Sequence, residues 1–134
     1  MSDSHRNALV IETHRIIRDA ARNAVAKLGQ GAETAEITYP PESGLTEPQK
    51  DSLGAMRLSG STLDALEKVV ADACAASFFS FFCLVDGVAD PEVTPQEPWL
   101  GMDIVEPSTD ADREMLHDAF YDSYWRFKER VGVD

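Results

Sequence analysis

Between Asp72 and Asp86 the chain carries no charged residue, and the stretch around it, VVADACAASFFSFFCLVDGV from Val69 to Val88, is its most apolar run. Leu63, Leu66, Val70, Ala73, Ser77, Phe81 and Leu84 follow a three-and-four spacing that lines one face of a helix. Val69, Ala76, Phe78, Phe82 and Cys83 widen that face. A helix apolar around so much of its circumference is expected innermost in a soluble core. The uncharged run falls short of the ~20 apolar residues of a membrane span. Ser61 or Thr62 is placed to cap its start, where a side-chain oxygen can accept an orphan backbone N–H. Asp86-Gly87 closes its end, because glycine accepts the left-handed conformation found there.

Upstream, Val10, Ile17, Ala20 or Ala21, Ala24 and Leu28 recur at helical spacing. They predict a first long helix over residues 8–28, stopped by Gly29-Gln30-Gly31. Residues 1–7 read as a flexible polar lead-in. Residues 32–45 read as loop, with Pro40-Pro41 and Ser43-Gly44 as turn chemistry. A short helix then starts at Thr46, which can cap, while Gln49 completes a capping box and Pro48 is tolerated in the first turn. It is expected to run to about Leu58. Residues 88–98 read as a proline- and acid-rich loop.

A last long helix is expected over residues 109–131. Leu116, Ala119 or Phe120, Ser123 and Phe127 form its apolar face. Acids lead it and Lys128 and Arg130 end it, the order that the helix dipole favours. The fold class is therefore mainly α: one domain spanning residues 1–134, three long helices and one short helix around a buried central helix. Residues 36–39 and 99–105 are candidates for a small strand pair.

Charge sharpens this picture. The net charge is −12. Residues 1–60 hold seven Lys/Arg against eight Asp/Glu, whereas residues 61–134 hold five against sixteen. Such a surface repels phosphate backbones and anionic membranes, so nucleic acid and membrane are not expected partners. Cys74 and Cys83 are nine positions apart, on opposite sides of one helix, and cannot bridge each other there. They read as buried free thiols in a reducing, cytoplasmic setting.

Candidate chemistry is sparse. Glu114 and His117 form an E-x-x-H, the helical spacing used in di-iron bundles, but those sites need two such motifs and further carboxylates. The chain has one. Asp86, Asp90 and Glu92 lack the ligand spacing of a calcium loop. No nucleophile elbow, phosphate loop or dinucleotide fingerprint is present. No catalytic set, metal site or cofactor is read from the chain, which favours a binding protein over an enzyme.

Two surface features suit binding. Arg15, Arg18 and Arg22 make a basic stripe on the first helix. Glu114, Asp118 and Asp122 make an acidic stripe on the last, where like charges four apart repel and call for an opposing charge. Trp99, Tyr121 and Trp125 lie near those acids and fit an aromatic interface with an acidic rim. The expected partner is a protein, either a basic one or a second copy, and an inhibitor or immunity-like role matches the size and acidity. The alternative is a small-molecule pocket or active site between the central and last helices, lined by His117, Glu114, Tyr121, Phe78 and Phe82.

Overall fold

The computed structural model describes residues 3–31, 37–92 and 98–103, together with Trp125 and Glu129. It is mainly helical. Helix α1 spans Asp3–Gly31, α2 spans Glu47–Gly54 and α3 spans Gly60–Val85. The principal contact is α1 on α3, and α2 rests against α1. Trp125 and Glu129 are helical, and the rest of the expected last helix lies outside the described residues.

Helix α1 begins earlier than the apolar pattern implies. Residues 3–7 are helical rather than a flexible lead-in. Polar residues can propagate a helix whose packed face begins further on, and Asp3 sits where the helix dipole favours an acid. The packed face is a row at every fourth position: Thr13, Ile17, Ala21 and Val25 are buried. Ala21 is fully covered, and its small side chain lets α3 approach closely. Thr13 enters this row because its hydroxyl donates to the Leu9 carbonyl at 2.9 Å, so burial leaves no polar atom unpaired. Val10, expected inward, is exposed, and of the alternatives Ala20 and Ala21 it is Ala21 that turns inward.

Helix α3 runs antiparallel to α1. Leu63 packs against Gly29, and Arg22 pairs with Glu67, so later residues of α1 meet earlier residues of α3. The expectation of a buried central helix is corrected here. No residue of α3 is buried, and the core row belongs to α1. The half-buried side of α3 runs through Leu63, Leu66, Val70, Cys74, Phe78, Phe82 and Val85. Ala73, Ser77 and Phe81 face solvent, and the Ser77 hydroxyl is satisfied by the Ala73 carbonyl at 2.9 Å. Cys74 and Cys83 are free thiols, half-buried rather than buried.

The helix ends follow local chemistry. Thr46 is the N-cap of α2, and its backbone N–H donates to Gln49 Oε1 at 2.8 Å, the returning arm of a capping box. This helix ends at Gly54, short of Leu58. Ser59 caps α3, accepting from the Thr62 N–H at 3.2 Å, in place of the expected Ser61 or Thr62. At the other end the Gly87 N–H donates to Leu84 and the Val88 N–H to Cys83, the paired bonds of a Schellman closure with Gly87 at φ +69°.

No strand forms among the described residues, so residues 37–39 and 99–103 do not pair. The backbone of the second segment is used otherwise. Met102 N–H donates to the Val85 carbonyl at 2.7 Å, and Trp99 Nε1 donates to the Leu84 carbonyl at 2.9 Å. An arm from far along the chain thus meets the carbonyls that every helix C-terminus leaves open.

Candidate interaction surface

The arginine stripe of α1 is exposed and engaged with acids of the described helices. Arg15 Nε donates to Glu12 at 2.8 Å, its Nη2 also reaches Glu12, and its Nη1 donates to Asp19 at 2.7 Å. Arg18 donates to Asp19 at 2.9 Å. Arg22 Nε reaches across to Glu67 of α3 at 3.4 Å. The hydrogen bond from Arg15 holds the Glu12 carboxyl below the usual carboxylate range, and that from Arg18 does the same for Asp19. Arg15 is in turn pushed up by its bond to Glu12. All these groups are open to water, where such pairs exchange partners at little cost.

Large apolar side chains stand in solvent beside this stripe and across from it. On α1, Ile11 is 70% exposed, and Leu9, Val10 and Ile16 are exposed too. On α3, Phe79 is 71% exposed and Val69 64%, with Phe81 also outside. Ile11 and Ile16 are five positions apart, about 140° around the helix, so they lie on opposite flanks of the buried row. Phe79 and Phe81 are separated by about 160° on α3. The hairpin of α1 and α3 is therefore apolar on both flanks.

The aromatic pair proposed for a pocket, Phe78 and Phe82, is half-buried on α3, with ring centroids 6.3 Å apart and tilted by 36°. Trp99 is half-buried, and its indole N–H serves the end of α3. Trp125 is exposed. Glu114, His117, Asp118, Tyr121 and Asp122 lie outside the described residues.

Two further features carry acids. An open hollow at the end of α3 is lined by Val85, Asp86, Leu100, Gly101, Met102 and Asp103, with both aspartates exposed. A second lies along Asp64, Glu67, Lys68 and Ala71. Among the described residues, no three His, Cys, Asp or Glu side chains converge in a metal-binding group. Sequence reasoning missed the exposed flanks, because an apolar periodicity shows that a face exists and not whether anything covers it. No known family model, curated protein or solved structure matches the chain.

Proposed function

We propose that this chain works by binding a protein, through the helical hairpin and the charged stripes beside it. The observation that carries this reading is the apolar character of both flanks. Soluble monomers rarely leave extended apolar patches uncovered unless a partner meets them. One more helix in the same chain can cover one flank. The helix expected over residues 109–131, with Leu116, Ala119 or Phe120, Ser123 and Phe127 as its apolar face, is the segment proposed to do so. Its acidic stripe, Glu114, Asp118 and Asp122, then faces outward and selects a basic surface, either a basic protein or the arginines of a second copy. An inhibitor or immunity-like role in the cytoplasm is consistent with this arrangement.

The test is sedimentation velocity over a range of concentration and salt, on the wild type and on an Asp118→Lys, Asp122→Lys variant. Association that weakens with salt and falls about tenfold or more in the variant is the expected result. Association that ignores both salt and charge reversal removes the acidic stripe from the interface. The Phe78–Phe82 pair supports a second reading, a small-molecule pocket completed by His117, Glu114 and Tyr121. That reading requires a ligand whose binding is lost in His117→Ala and kept in the charge-reversal variant.

A further inference from the structure

Resting on the protein-binding reading, we infer that the partner is a second copy of the chain, docked on the flank that carries Ile11, Arg18 and Arg22. The antiparallel register sets which residues share a level along the hairpin. Arg22 meets Glu67, and Gly29 meets Leu63. Continued toward the other end, the same register puts Ile11 level with Phe79. On the wheel of α1, Ile11, Arg18 and Arg22 fall on one side of the buried row, the side from which Arg22 reaches Glu67. On α3, Asp64, Phe78 and Phe79 turn toward that same side.

The flank is thus divided lengthwise. One end is apolar, with Ile11 beside the phenylalanines. The other is charged, with Arg18 and Arg22 on α1 and with Asp64, Glu67 and Lys68 on α3, where the two acids outnumber the base. A copy rotated by half a turn about an axis parallel to the helices lays each α1 over the partner's α3 at the same level. Ile11 then meets Phe79 of the partner subunit, and Arg22 meets the carboxylates of Asp64 and Glu67 from the partner subunit. Apolar meets apolar and base meets acid in one operation, which is the self-complementarity a twofold interface demands. The product is a four-helix arrangement of two hairpins.

Sedimentation velocity on full-length chains carrying Ile11→Asp, Phe79→Asp or Ile16→Asp tests this. All three positions are exposed in the chain, so each variant should keep the wild-type helicity. Ile11→Asp and Phe79→Asp are expected to weaken dimerisation about tenfold or more, and Ile16→Asp to leave it unchanged. Mixing an Ile11→Cys chain with a Phe79→Cys chain, each with Cys74 and Cys83 replaced by alanine, is expected to give the mixed disulfide dimer under mild oxidation. A dimer broken only by Ile16→Asp, or indifferent to all three changes, overturns this face while leaving self-association in place. A chain that is monomeric throughout overturns the second copy as partner, and binding of a basic protein is then judged separately by the Asp118 and Asp122 reversal.

Discussion

Gly101 and Gly87 meet backbone to backbone at the end of α3. Gly101 has φ +83°, and a Cβ there would stand 2.6 Å from the Val85 carbonyl oxygen and 2.7 Å from the Gly87 nitrogen. Both the conformation and the space exclude any other residue. Gly101→Ala is expected to cost ~1–3 kcal/mol, because the backbone must leave this region or push the helix end away. Urea unfolding would show it as a lower midpoint at unchanged slope, and an unaltered midpoint would sink the account. Gly87 was legible from the chain, since an Asp-Gly after an apolar helix signals a left-handed closure. Gly101 was not, because its neighbour is brought to it by the arm. Thr13 was likewise hidden: a polar residue in a core row looks wrong until its own helix is seen to satisfy it.

At the scale of elements, the helices themselves were readable and the direction they face was not. Apolar residues lie on so many sides of α3 that several faces could turn inward. The selection is made by α1, whose row of Thr13, Ile17, Ala21 and Val25 offers one narrow seam. The α3 cap shows a smaller version of the same limit. Ser59, Ser61 and Thr62 all have the right chemistry, and their hydroxyls lie within hydrogen-bond distance of Ser59, but only Ser59 has the extended backbone of an N-cap. Ser59→Ala should therefore destabilise the fold by ~1 kcal/mol, and Ser61→Ala by clearly less. Equal losses in thermal unfolding would mean that the cap is shared and the assignment to Ser59 is wrong.

For the whole molecule, the length of α3 raises a question that the uncharged run alone did not. The helix has 26 residues, and its most apolar 18-residue window has a mean hydropathy of 1.7, enough by length and composition to cross a membrane. The earlier exclusion counted only the stretch between Asp72 and Asp86. Three observations favour the hairpin in water. Asp64, Glu67, Lys68 and Asp72 occupy the first half of α3. Ala73–Val85, the part without charge, gives about 20 Å of helix against a hydrocarbon core of about 30 Å. Arg22 of α1 also reaches Glu67 at the charged end. Purified chain mixed with neutral phosphatidylcholine vesicles is expected to stay in the dense fraction on flotation. Co-flotation that survives high salt would place α3 in the bilayer and remove the cytoplasmic proposal.

The chain by itself determined that α1, α2 and α3 form, where α2 starts and where α3 stops. Those outcomes depend on neighbours within a few residues: an apolar spacing, a Thr-to-Gln box, a glycine after the last turn. It also placed Arg15, Arg18 and Arg22 on one stripe, since helical geometry alone requires that. Tertiary structure decided which side of α3 turns inward, that Arg22 reaches Glu67, that Trp99 and Met102 serve a helix end in place of a strand, and which apolar residues stay outside. Each of these depends on how two distant segments approach, and that approach is set by the packing of Ala21 and its row against α3 rather than by any local pattern.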